Sequence, residues 1–219
     1  MMEYPLKIKV CGMREPKNLE ELCSLGPDYV GFIFYPKSKR FVGVRPDHDL
    51  FKIPPAGVIK VGVFVNEQME QVIKMVDTYE LDLVQLHGNE TPDYCRRLVG
   101  LNIQVIKAYS PDGGITRGTS PSHDADIDAY SGVVQSFLFD TPGSGWGGTG
   151  QKFDWSLLED QSVPLPYFLS GGIGPEDAEA IRKIEDKNLM GIDLNSRFEH
   201  SPGLKDIGLL SDFFQEIRN

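Results

Sequence analysis

A thiol, a carboxylate and two glycine-containing turns stand where strand-like runs of this sequence give out. The run 7–10 leads into Cys11-Gly12-Met13-Arg14, and the run 137–139 leads into Asp140-Thr141 and then Pro142-Gly143-Ser144-Gly145-Trp146-Gly147-Gly148-Thr149-Gly150. A cysteine works as a base through its thiolate, so Cys11 can do so where its surroundings favour the ionised sulfur. A lone cysteine is more commonly a small buried hydrophobe, and position alone leaves both roles open. Asp140 follows apolar residues at the edge of a glycine-rich stretch, where a carboxyl loses part of its solvent and can keep a proton to donate. Capping a turn is the alternative role for it.

Two further run ends suit an anion. Ser170-Gly171-Gly172-Ile173-Gly174-Pro175 follows the run 167–169, and Asn195-Ser196-Arg197 follows 191–194. Glycine lets the backbone approach a ligand, and the helix start after it offers N–H donors to phosphate. Gly172, Ile173, Gly174, Asn195, Ser196 and Arg197 are therefore candidate phosphate ligands, with a plain tight turn as the alternative. In Lys37-Ser38-Lys39-Arg40, Arg40 is suited to a two-pronged grip on a carboxylate, although a charge run is ordinarily a solvated loop. His87, in Gln85-Leu86-His87-Gly88, is the histidine beside a run end and reads as a hydrogen-bonded structural residue, while His48, His123 and His200 fall in loops. Cys11, Cys23 and Cys95 are widely spaced with no CxxC pair, which indicates neither a disulfide framework nor a zinc site.

These groups need a scaffold that collects strand ends. Eight short apolar runs, at 7–10, 29–34, 58–65, 83–86, 104–108, 137–139, 167–169 and 191–194, alternate with helical patterns at 15–24, 67–78, 92–98, 154–159, 175–184 and 204–216. The connections 47–51 and 122–130 carry weaker signals, and 110–124 reads as a surface loop. The runs are nearly continuous in hydrophobicity, as in parallel strands buried on both faces. Eight such units in 219 residues favour one (β/α)₈ barrel, a single TIM-barrel domain over 1–219, rather than a doubly wound sheet. Barrels carry their chemistry on the loops after the strands, which is where Cys11 and Asp140 fall.

The composition narrows the partners. With 40% hydrophobic and 25% charged residues and a mean hydropathy of -0.25, the chain has the make-up of a soluble globular protein. A formal charge of -10 argues against nucleic acid and leaves a small phosphorylated molecule as the expected partner. No apolar run approaches the roughly 20 residues of a membrane span, and 1–9 shows no leader pattern, so we expect a cytoplasmic protein. Monomer and homodimer are both open.

In order and spacing, several segments resemble the phosphoribosylanthranilate isomerase family of tryptophan biosynthesis. They are Lys9-Val10-Cys11-Gly12, Gly31-Phe32-Ile33-Phe34 with Ser38-Lys39-Arg40-Phe41, Val61-Gly62-Val63-Phe64-Val65-Asn66 and Gln85-Leu86-His87-Gly88. Asp140, Gly147-Gly148-Thr149-Gly150, Ser170-Gly171-Gly172-Ile173, Asp193 and Pro202-Gly203-Leu204-Lys205-Asp206 continue the series. The resemblance implies an Amadori rearrangement of N-(5'-phosphoribosyl)anthranilate to 1-(2-carboxyphenylamino)-1-deoxyribulose 5-phosphate, without metal or organic cofactor. It also implies that Asp140 is the acid, Cys11 the base and Arg40 the holder of the anthranilate carboxylate, with the Gly172, Ile173, Gly174 backbone and Asn195, Ser196, Arg197 on the phosphate. Where the family usually has a serine-serine-glycine-like turn this chain has Asn195-Ser196-Arg197, so Arg197 is expected to replace lost backbone contacts with a charged one.

Three other functions compete with this one. The related isomerisation of histidine biosynthesis resembles a barrel with two aspartates, and Cys11 argues against it. A non-catalytic phosphate-binding barrel would tolerate loss of Cys11 and Asp140. A lyase or synthase of the same pathway would want a lysine acid at a strand end, for which Lys60 and Lys107 are the nearest residues.

Overall fold

The structure, a computed structural model, describes residues 5–109, 127–141, 155 and 163–219. Eight parallel strands run in sequence order around a closed barrel: β1 (Lys7–Cys11), β2 (Tyr29–Ile33), β3 (Ile59–Phe64), β4 (Leu83–Leu86), β5 (Gln104–Tyr109), β6 (Ser136–Phe139), β7 (Tyr167–Leu169) and β8 (Leu189–Leu194). Closure is made by β8 against β1, with Lys9 beside Asp193 and Val10 beside Leu194.

The near-continuous hydrophobicity has a structural cause. Successive side chains of a strand point to opposite faces, and here one face fills the barrel while the other meets the helices. Val61, Leu83, Ile106, Leu138 and Phe168 pack together inside. Ile8, Val10, Phe32, Val84, Val105, Phe137 and Phe139 belong to the outer layer. A period of two therefore decides which residue at each strand end can reach a shared space.

The outer layer includes α1 (Pro16–Ser24), α2 (Met69–Tyr79), α3 (Pro92–Val99), α4 (Ala178–Arg182) and α5 (Ile207–Arg218). Proline opens α1 and α3, where its missing N–H costs nothing, and the Thr91 hydroxyl accepts from the Tyr94 amide at 3.2 Å to cap α3. Two helix expectations need correction. The segment expected over 175–184 is one turn of 3₁₀ helix, Pro175–Asp177, followed by the short α4. The helix expected from 204 begins at Ile207, because Leu204–Lys205 (β10) pairs antiparallel with Glu199–Ser201 (β9) and Asp206 then caps α5 by accepting from the Leu209 amide at 3.0 Å.

The weak signals at 47–51 and 122–130 coincide in part with 3₁₀ turns at His48–Lys52 and Ile127–Tyr130. The helix expected at 154–159 and most of the loops expected at 110–124 and 141–150 lie outside the described residues. No helix among the described residues is long and apolar enough to cross a membrane.

Candidate active site

Inward-facing residues at the C-terminal ends of the strands enclose one cavity of about 630 Å³ of empty space, counting its open mouth. Cys11 from β1, Val63 from β3, Gln85 from β4, Asp140 after β6, Ser170 after β7 and Asp193 from β8 line it. All lie on the strand face that points into the barrel, so the pleat itself collects them. The end of β4 carries the alternation one step further and brings His87 to the same wall.

Asp140 is 8% exposed and held from several sides. The Thr141 amide donates to its Oδ1 at 2.9 Å, the Ser170 hydroxyl approaches Oδ1 at 3.5 Å, and His87 Nε2 lies 3.3 Å from Oδ2. His87 Nδ1 is in turn 2.9 Å from Gln85 Nε2. The other amide atom of Gln85, Oε1, is buried with no partner among the described residues. Gln85, His87 and Asp140 thus form a chain in which a proton can be exchanged between imidazole and carboxyl.

Cys11 has different company. Across β1 and β2 it sits opposite Gly31, and a Cβ built on Gly31 would stand 2.7 Å from Sγ. The glycine is what makes room for the sulfur. Two residues back along the same face is Lys9, fully buried, whose Nζ donates to Asp193 Oδ1 at 2.8 Å. Lys205 from β10, 1% exposed, donates to Asn195 Oδ1 at 2.8 Å, Asn195 O at 3.3 Å and Glu199 Oε1 at 2.8 Å. Glu199 also takes Arg40, whose Nε and Nη2 reach its two oxygens at 2.9 and 2.7 Å. On balance the Cys11 thiol is held above its ordinary value: burial pushes it up and the Asp193 carboxylate adds to the rise, while the ammonium groups of Lys9 and Lys205 pull it down. Burial also opposes the charge on Lys9, yet Asp193 and Cys11 hold it above the ordinary lysine value.

The remaining wall is backbone. Gly171 and Gly172 take φ of +85° and +70°, a region closed to most side chains, and a Cβ on Gly171 would run into Thr141. Gly172, Ile173, Asn195 and Ser196 line the cavity. Among the described residues no group of three His, Cys, Asp or Glu is arranged to hold a metal ion.

A family model described as N-(5'phosphoribosyl)anthranilate (PRA) isomerase matches residues 8–216. The chain belongs to this isomerase family. It is similar to an N-(5'-phosphoribosyl)anthranilate isomerase from Parabacteroides distasonis, 46% identical over 218 residues, covering 96% of this chain and 92% of the relative. The crystal structure of phosphoribosyl anthranilate isomerase from Thermotoga maritima superposes with a TM-score of 0.80 at 32% identity, covering 97% of this chain and 98% of that one. Another phosphoribosyl anthranilate isomerase structure, in complex with reduced 1-(o-carboxyphenylamino)-1-deoxyribulose 5-phosphate, superposes at 0.78 with 30% identity over 97% of this chain and 98% of its own.

Within this isomerase the structure brings together Cys11, Asp140, Gly172, Ile173, Asn195 and Ser196, and leaves three expected ligands aside. Gly174 does not offer its amide to a ligand, since Asp177 Oδ2 already accepts from it at 2.7 Å. Arg197 turns to the surface, where Nη2 meets Glu176 Oε1 at 2.9 Å. Arg40 does not line the cavity, and Glu199 occupies the Nε–Nη2 edge of its guanidinium, leaving the Nη1 side without a carboxylate among the described residues. His87 is hydrogen-bonded, as expected, but to the candidate acid. Sequence reasoning missed Lys9, Lys205 and Glu199 as part of the isomerase site. The signal available for Lys9 was a lysine inside an apolar strand two positions before the cysteine.

Proposed function

We propose that Cys11 and Asp140 divide the proton transfers by which this chain isomerises N-(5'-phosphoribosyl)anthranilate to 1-(2-carboxyphenylamino)-1-deoxyribulose 5-phosphate in tryptophan biosynthesis. Asp140 protonates the furanose ring oxygen as the sugar opens to a Schiff base. Cys11, as thiolate, takes the proton from the second ribose carbon, and the resulting enolamine becomes the ketone. One group must begin protonated and the other ionised, so their separation into unlike surroundings is what the chemistry requires.

The observation that carries this reading is that the thiol and the carboxyl face one cavity whose third wall is the open backbone of Gly172 and Ile173. That backbone, with Asn195 and Ser196, supports phosphate binding at the end of the barrel where phosphate sites recur. A synthase using a lysine acid is disfavoured, because Lys107 Nζ is tied to Gly88 O at 2.6 Å, Ala108 O at 3.1 Å and Glu90 Oε2 at 3.3 Å. As an enzyme of a soluble biosynthetic pathway, the protein is assigned to the cytoplasm in the same reading.

The test is turnover of freshly made phosphoribosylanthranilate, followed by the loss of its fluorescence. Cys11→Ala and Asp140→Asn are each expected to lose about 10²–10⁴ in kcat, the usual worth of a positioned acid or base. Retention of wild-type turnover by either variant removes that residue from its role, and a wild type with no turnover removes the assignment.

A further inference from the structure

The charges packed behind Cys11 do not balance. The cations are Lys9, Lys205 and Arg40, and the anions are Asp193 and Glu199; all five are buried in the structure. Three cations against two carboxylates leave one positive charge over. Burial holds the Lys205 ammonium below the ordinary lysine value, yet giving up its proton would cost a bond, since its Nζ faces three acceptors: Asn195 Oδ1, Asn195 O and Glu199 Oε1. Three acceptors use the three donors of an ammonium group. Lys9 is held against Asp193 at 2.8 Å in the same way. A buried cluster with an uncancelled charge is costly, so a negative charge beside it is stabilised.

We propose that Lys9 and Lys205 are positioning residues that stabilise the negative charge of the Cys11 sulfur, which completes the charge balance of a cluster with one surplus cation. The inference rests on the reading of Asp140 as the acid, because a protonated Asp140 leaves Cys11 as the counter-charge. The charged groups that face the sulfur are Lys9 on its own strand, Asp193 from β8 and Lys205 from the β9–β10 hairpin. Glu199 and Arg40 act on it through Lys205, and Asp140 acts from β6 through Asp193, with His87 behind it.

The deciding measurement is the rate of iodoacetamide alkylation of Cys11 against pH, read by peptide mass spectrometry, beside the acid limb of kcat/KM. Cys11 is 3% exposed and lines the cavity, which is the side from which a small reagent meets its sulfur. Cys95, whose thiol burial raises to about 12, is an internal reference in the same samples. Lys9→Met and Lys205→Met are expected to move the Cys11 midpoint and the activity limb upward together by about one pH unit or more. Glu199→Gln raises the surplus charge and is expected to move both downward. Damage to the fold lowers turnover at every pH and opens Cys95 to the reagent as well as Cys11, so a downward midpoint in Glu199→Gln with Cys95 still protected decides the matter even where a lysine variant does not fold.

Midpoints unmoved, or moved the same way by Glu199→Gln and Lys205→Met, overturn the proposal. So does an Asp140→Asn variant whose Cys11 midpoint falls by about a unit, since Asp140 would then be the counter-charge. Alkylation reads the sulfur without turnover. A Cys11→Ala enzyme that stays active would therefore sink the base assignment while the midpoints still report on the cluster.

Discussion

The two groups to which we assign the proton transfers sit on opposite kinds of ground. On the Cys11 side, β1, β8 and the β9–β10 hairpin surround the sulfur with formal charges joined by short ion pairs, Lys9 to Asp193 at 2.8 Å and Arg40 to Glu199 at 2.7 Å. On the Asp140 side, β4, β6 and β7 supply an amide, a hydroxyl and an imidazole at 2.9 to 3.5 Å. In the proposed roles, the base stands beside fixed charge and the acid beside groups that share hydrogen bonds. The contrast shows how one cavity gives a thiol and a carboxyl unlike surroundings, a difference made by neighbours rather than by the groups themselves.

The largest effect that can break this contrast is on stability. Asp193→Ala strands Lys9 in the interior without its carboxylate and is expected to cost about 3–5 kcal/mol of unfolding free energy in a urea titration. Asp140→Asn keeps the shape and the hydrogen-bonding edge of the side chain and is expected to stay within about 1 kcal/mol of wild type. Equal losses in the two variants would mean that the two sides do not differ as described.

A smaller effect sharpens the contrast through pH. Burial favours the neutral form of Glu199, but the hydrogen bond from Arg40 and the charge of Lys205 outweigh it and hold the carboxyl below the glutamate value of 4.5. The stability that this supplies is fully present above about pH 4.5 and is lost as the pH falls through the depressed value. Wild-type unfolding free energy is expected to fall more steeply than that of Glu199→Gln below pH ~4.5. Parallel curves for the two proteins would remove Glu199 from the acid response.

The smallest expected effect lies at the rim. Arg197 and Glu176 are 44% and 53% exposed, and such a pair contributes little. Arg197→Ala is expected to change stability by less than ~1 kcal/mol and KM by less than about twofold. A large rise in KM would show that Arg197 leaves Glu176 to meet the phosphate.

The sequence showed more of the scaffold than of the site's electrostatics, for a physical reason. Strands buried on both faces leave a local trace, which is why eight runs could be read and why Cys11 and Asp140 could be placed at their ends. Partners that meet across the barrel leave none: nothing local to Lys9 indicates Asp193, and nothing near Arg40 indicates Glu199, 159 positions away. Arg40 was therefore read as a fully open guanidinium, although Glu199 takes its Nε–Nη2 edge. The start of α5 was misplaced because Leu204 and Lys205 suit a helix by type but are held in a strand by β9. The amide of Gly174 was read as available because its acceptor, the side chain of Asp177, is a matter of turn geometry.

The pairing of Lys9 with Asp193 joins residues 184 positions apart, at the seam where the last strand meets the first. A chain made at about 5–20 residues per second takes roughly 10–40 s to cover that interval. During all of it Lys9 and Cys11 have been made, but Asp193 and Lys205 have not. The sulfur meets its full set of charged neighbours only when the barrel shuts, so that setting arrives last in the life of each new molecule and certifies that the ring is complete.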